Sequence, residues 1–218
     1  LYCQGQIQQI FLTEDIMRPW NRLALLLFTL LLTIAGGCSP LTGSRSFVSP
    51  QADFSFYKRV GLLPFKNLSE DRLAGEKMTE VFMTEILIAG ELDVMDPGQF
   101  NAVIAQVAKT NAPVAGIELS PDRLAQVAEY AKVQGIFSGT VHDYRMVQIG
   151  GDQYPQISMT VKFIDGPTGT VAWQNSISAT GGPNLPIVSI GETFTLGALS
   201  QEVCEHLVTD FMKKALAK

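Results

Sequence analysis

Apolar residues recur along the chain with two different periods, and the switches between those periods mark out the elements. The run Arg59-Val-Gly-Leu-Leu-Pro-Phe65, closed by Pro64, predicts a buried strand whose last residues leave the sheet. A loop over 66–70 leads into a helix with Met78, Val81, Phe82, Ile86 and Ala89 on one face, ended by Gly90 at the left-handed C-cap position. Residues 92–95 predict a second short strand. Asp96-Pro97 then caps and opens a helix with Gln99 at the capping-box position and Phe100, Val103, Ile104, Val107 and Ala108 inward. Ser120-Pro121 repeats that start, with Leu124, Val127, Ala128 and Ala131 as the inner face.

The period then changes to two. A strand is predicted from Gly135 to about Ile149, a turn at Gly150-Gly151-Asp152, and a return strand in which Ile157, Met159, Val161 and Phe163 alternate with Ser158, Thr160 and Lys162. A hairpin connection over 165–169 leads to a last strand over 171–177. After a Gly/Pro-containing stretch over 180–193, a final helix places Cys204, Leu207, Val208, Phe211 and Ala215 on one face. The predicted order is β-α-β-α-α-β-β-β-α. Helical crossovers imply parallel pairing among the first strands, and tight turns imply an antiparallel meander later. The fold class is therefore α/β, a mixed parallel/antiparallel sheet of about five strands with helices packed on it.

The first third of the chain follows other rules. Residues 1–16 carry Glu14 and Asp15 ahead of Met17 and are expected to be a gene-model extension. From Met17 a short basic start (Arg18, Arg22) precedes a 13-residue, mostly apolar run over 23–35, which stops at Gly36-Gly37-Cys38. That is a secretory signal layout, and the run is shorter than the roughly 20 residues of a membrane-spanning helix. With the cysteine placed after small residues, the stretch resembles the lipobox of bacterial lipoproteins. The resemblance implies cleavage between Gly37 and Cys38, with acyl chains on both the thiol and the new amine of Cys38. Ser39 follows in place of Asp, which under the lipoprotein sorting rule implies the outer membrane. The expected organisation is 17–37 signal peptide, 38–54 tether rich in Ser, Pro, Gly and Thr, and 55–218 a single periplasmic domain.

Composition narrows the function classes. From Cys38 onward 181 residues remain, enough for one domain that buries about 70% of its unfolded surface. With Cys38 lipidated, only Cys204 is left, so no intramolecular disulfide is expected. The net charge of −5, without a Lys/Arg cluster, argues against nucleic acid as a partner.

Candidate chemistry is sparse. Cys204 and His206 form a nucleophile–base pair on paper, but residues two apart on a helix point about 200° from each other. Cys204 is expected to be a small buried hydrophobe. His142 lies on a strand, expected to share a face with Tyr144 and Met146, opposite Asp143 and Arg145, which can form a solvated ion pair of little energetic weight. No metal-ligand spacing, dinucleotide loop, phosphate loop or nucleophile elbow occurs, so no catalytic residue, metal or cofactor is assigned. The candidate partner-binding residues are Leu185, Ile187, Val188 and Ile190, four apolar positions in a Gly/Pro stretch, forming either an extra edge strand or a contact patch.

Four segments share their order with a known group: VGLLPFKNLSE, LDVMDPGQFNAVIAQ, LAQVAEYAKVQGIFSGTV and the hairpin FIDGPTGTVAWQNSIS. Together they resemble the CsgG-like bacterial envelope lipoproteins, which include the curli secretion channel and a lipoprotein activator of a penicillin-binding protein. The resemblance, over about 57–215, implies a fold akin to the N-terminal domain of TolB and an envelope protein as partner, with self-assembly as an option. The expected function is a membrane-anchored, non-catalytic binding or assembly module in envelope biogenesis or secretion. The alternative is a subunit of an oligomeric outer-membrane secretion channel.

Overall fold

The alternating run in the second half of the chain forms the spine of a seven-stranded sheet in the computed structural model, which describes residues 42–182 and 193–216. The chain divides into two units, Leu1–Ser39 and Pro40–Lys218, and every described residue belongs to the second. Its strands are β1 (Thr42–Val48), β2 (Arg59–Leu62), β3 (Lys66–Asn67), β4 (Asp93–Val94), β5 (Gly135–Ile149), β6 (Asp152–Asp165) and β7 (Val171–Thr180). The helices are α1 (Ala74–Ala89), α2 (Pro97–Ala108), α3 (Pro121–Ala131) and α4 (Leu196–Phe211), with a short 3-10 turn at Phe54–Phe56.

The strand order is β1-β7-β6-β5-β2-β4, with β3 paired to β5 off that path. β2 runs parallel to β4 and β5, because helices carry the chain back between them. β5, β6 and β7 are antiparallel, as their tight connections require, and β1 adds antiparallel to β7 from far away in the sequence. Capping follows the sequence signals: Asp96 accepts from the Gln99 N–H at 2.9 Å, and Gly90 closes α1 at φ 70°.

Alternation along β5 and β6 separates two cores. Phe137, Val141, Tyr144, Ile157, Met159, Val161 and Phe163 face α1 and α4, meeting Met78, Phe82, Cys204, Leu207 and Phe211. On the other face Ile136 and Ile164 meet Phe100, Ile104, Val127 and Ala131 of α2 and α3. Those two helices cover one end of that face only. Further along it Ser138, Thr140, Ser158, Thr160, Gln174 and Ser176 stay half-buried and Lys162 and Ser178 are exposed.

The predicted element order is present in full, with two strands added to the about five that were expected. Thr42–Val48, assigned to a free tether, is instead the edge strand β1, paired to β7 in register Thr42↔Ala179 through Val48↔Trp173. Its run of Gly, Ser and Arg buries little, so backbone hydrogen bonds rather than apolar alternation place it in the sheet. Lys66–Asn67, expected as loop, pairs with Thr140 and Val141 as β3. A third difference is local. A β-bulge falls between Val141 and Asp143, and it turns His142 to the open face, Nε2 3.2 Å from Thr160 Oγ1, while Tyr144 is buried opposite Ile157. His142 therefore does not share a face with Tyr144, because the bulge adds one residue to the period.

The hairpin 165–169 shows how tightly the meander is set. Asp165 Oδ2 accepts from the Thr168 N–H at 3.1 Å and from its hydroxyl at 2.5 Å, and Gly169 adopts φ 66°. A Cβ on Gly169 would lie 2.2 Å from the Pro121 carbonyl oxygen. Gly169→Ala is therefore expected to destabilise the domain by about 1–3 kcal/mol, from the positive φ and a backbone clash together. Urea unfolding followed by circular dichroism measures it, and an unchanged midpoint would contradict this account of the turn.

Candidate functional site

The residues singled out in the sequence separate into three groups. Gly37, Cys38, Leu185, Ile187, Val188 and Ile190 lie outside the described residues. Cys204 is fully buried, its Sγ 4.0 Å from the Met78 carbonyl oxygen, and burial pushes its thiol well above the usual range. His206 is exposed on the opposite side of α4. The structure therefore keeps this pair apart, as helical geometry requires. Asp143 and Arg145 approach to 3.8 Å at an exposed position. Among the described residues no three metal-ligating side chains come together, and no helix is long and apolar enough to cross a membrane.

What the fold does assemble is a fastening of the edge strand β1. An edge strand has one neighbour, so its backbone pairing alone leaves it easily frayed. Here Asn175 of β7, 0% exposed, accepts from the Ser44 hydroxyl of β1 at 3.0 Å and donates to Asp210 Oδ2 of α4 at 3.0 Å. Trp173, also 0% exposed, donates its indole N–H to the same oxygen at 3.2 Å. Lys214 lies 2.5 Å from Asp210 Oδ1 and also donates to the Ser46 hydroxyl of β1. One carboxylate thus ties α4, β7 and β1 together. Burial alone would raise the Asp210 pKa. Lys214, Asn175 and Trp173 outweigh it and hold the carboxyl below its ordinary value. Asp210, the acceptor for Trp173, was invisible in the sequence, since it sits 37 residues away.

The sheet has two dissimilar ends. At one, β1 enters at Thr42, in the row Thr42–Ala179–Ile157–Tyr144. Beyond that row β5 and β6 continue as a two-stranded hairpin to the Gly150-Gly151 turn, while β7 pairs β6 only as far as Gln156. This projecting part carries Met146 (40% exposed) and Ile149 (48%), and Tyr154 stacks on Phe194 (51%) at 6.0 Å. At the opposite end, a hollow of about 350 Å³ is lined by Asp53, Phe56, Tyr57, Asp165, Thr168 and Thr170 among others. There the Tyr57 hydroxyl donates to Asp165 Oδ1 at 2.9 Å. Burial first and Asp165 second push the Tyr57 pKa up, so it stays protonated. With both Asp165 oxygens taken up by Tyr57 and Thr168, the group braces the turn and is poorly placed to act as a base.

No family model matches the chain, and no curated protein sequence matches it. Solved structures do. The PelC dodecamer from Paraburkholderia phytofirmans is similar at TM-score 0.52 and 17% identity, over 78% of this chain and 96% of that one. The hypothetical protein CT253 from Chlamydia trachomatis is similar at TM-score 0.51 and 12% identity, over 74% and 99%. Lipoprotein GNA1162 from Neisseria meningitidis gives 0.49 at 18% identity, over 70% and 99%. The first two carry the likeness, and at these identities it is a likeness of fold.

Asp210→Ala is expected to leave two buried donors without an acceptor, at about 1–3 kcal/mol each, lowering the unfolding midpoint and exposing β1 backbone amides to hydrogen exchange. The sign with pH follows from the depressed carboxyl. Its stabilisation is present above the unfolded-state pKa, about 3.9, and is lost as pH falls through the lower folded-state value. Asp210→Asn should therefore show a flatter loss of stability on acidification than the native chain, measured by urea midpoints between about pH 5 and 2. Parallel acid limbs would remove Asp210 from this role.

Proposed function

We propose that the chain is a lipid-anchored periplasmic binding module, held at the outer membrane through Cys38 and docking an envelope protein without catalysing a reaction on it. The observation that carries this reading is mechanical. The segment from Thr42 onward is built into the sheet as β1 and is fastened there by the Asn175–Asp210–Lys214 network, so the folded sheet begins four residues after the proposed anchor. Two or more acyl chains make such attachment effectively permanent, whereas one holds only marginally. The buried, unreactive thiol of Cys204 and the fully engaged Asp165 support binding over chemistry. The CsgG-like motifs and the outer-membrane sorting implied by Ser39 belong to this proposal.

A second reading has its own support. PelC, similar in fold, is described as a dodecamer, so self-assembly of this chain is the alternative use of the same module. A membrane pore would need more. A spanning β-strand takes about 9–11 residues, and β5 runs only from Arg145 to Ile149 beyond the row of Tyr144. Self-assembly, on this reading, builds a collar beside the membrane.

Two measurements test the proposal. Cys38→Ser should abolish incorporation of radiolabelled fatty acid and move the protein from the membrane to the soluble periplasmic fraction; labelling that persists in the variant sinks the anchor. In-cell cross-linking followed by affinity capture should recover an envelope protein in stoichiometric amount. Recovery of self-contacts alone, with a large ring in detergent by electron microscopy, would transfer the reading to the assembly.

A further inference from the structure

The anchor-bearing edge and the projecting hairpin lie at one end of the sheet, and their lengths can be compared. Cys38 precedes Thr42 by four residues, which reach at most about 14 Å when fully extended. From the row of Thr42 and Tyr144, β5 advances five more residues to Ile149, about 17 Å at the antiparallel rise. A bilayer holding the lipids of Cys38 therefore comes within the hairpin's own reach. The side chains there suit an interface. Met146, Val147, Ile149, Tyr154 and Phe194 are apolar or aromatic and at least partly exposed, and from 146 to 155 the one formal charge is Asp152. The β1 edge, the other surface that could lie against the membrane, presents exposed Gly43, Ser44 and Arg45 instead.

The geometry points to a lipid surface as the occupant of this patch: the tip of the β5–β6 hairpin, together with Phe194, rests in the headgroup boundary and fixes the orientation of the anchored domain. This rests on lipidation of Cys38. Five residues beyond the sheet are too few to span, so the tip wedges in at interfacial depth, about 5–10 Å. The contact is apolar in origin, and salt should leave it unchanged. The opposite end, with the Tyr57–Asp165 hollow and Tyr130 on α3, then faces away and stays open to a partner.

The test uses the full lipidated chain in phosphatidylcholine vesicles, with Ile149→Trp as reporter and Tyr130→Trp as control, both at exposed positions and both read over the buried Trp173. In vesicles whose acyl chains carry bromine near the headgroup, the Ile149→Trp indole should lose roughly half its emission and be shielded from aqueous iodide, equally at low and high salt. The Tyr130→Trp indole should keep its emission and remain open to iodide. If the vesicle-bound protein shows both indoles equally unquenched by bromine, the placement is overturned while the anchor stands. Iodide shielding of the Ile149→Trp indole without bromine quenching would also overturn it, in favour of a second protein copy at the tip. A chain that fails to float with the vesicles overturns the anchor and this placement with it.

Discussion

The domain depends most on the cluster of rings around Phe163. That ring lies 4.8 Å from Tyr57, 4.7 Å from Phe137 and 4.9 Å from Phe211, in tilted or edge-to-face arrangements, with Phe54 at 6.5 Å. It thereby joins β6 to β5, α4 and the turn that follows β1. Burying such a ring contributes about 1.5–3 kcal/mol, and each well-oriented aromatic pair adds about 0.5–1.5. The seat beneath it is Gly135: a Cβ there would lie 2.1 Å from the ring, so the start of β5 is set by what Phe163 requires. Gly139 does the same for Phe65, whose ring would lie 2.7 Å from an added Cβ. With the seat at Gly135 occupied, a one-residue slip of β5 on β6 would set the Phe163 ring against a side chain in place of the glycine, and register follows.

From this cluster outward, legibility in the sequence falls in step with how much apolar surface each element buries. The helices and the β5–β6–β7 meander announce themselves through period, because Met78, Phe82 and Ile86, or Ile157, Met159, Val161 and Phe163, must face one way. β1 does not, since its side chains are small, polar or exposed and its place depends on pairing with β7 and on Ser44 and Ser46 reaching Asn175 and Lys214. β3 is two residues long and carries no period at all. The bulge at Val141–Asp143 is silent for another reason: alternation assumes one residue per step, and His142 is the extra one. Of the binding surface, the exposed side chains at the hairpin tip could be read as a strand, but their distance beyond β7 is a property of register alone.

The two unread features turn out to be coupled through the sheet. Fastening β1 along β7 brings the chain that follows Cys38 to the end at which the β5–β6 hairpin overshoots its neighbours. A free tether over 38–54 would have left the domain able to turn in any direction. Pairing of Thr42–Val48 removes seven residues from that spacer and replaces rotational freedom with a fixed exit point. Asp210 matters in this light because an edge strand is held by one ladder of backbone bonds plus whatever its side chains add.

The polarity of the sheet's two uncovered regions argues in the same direction. Where no helix among the described residues lies on the open face, Ser138, Thr140, Ser158, Thr160 and Ser176 furnish hydroxyls, and Thr160 and Ser176 bond each other at 2.9 Å. This is how a face in contact with water is normally written. At the hairpin tip, by contrast, Met146, Ile149 and Phe194 stand 40–51% exposed. Two neighbouring regions of one sheet thus meet the same solvent with opposite chemistry. Exposed apolar groups gathered on a projecting tip, unlike ones scattered singly, mark a surface that something else covers. Under the proposed lipidation of Cys38, the short reach from that residue selects the bilayer as that cover.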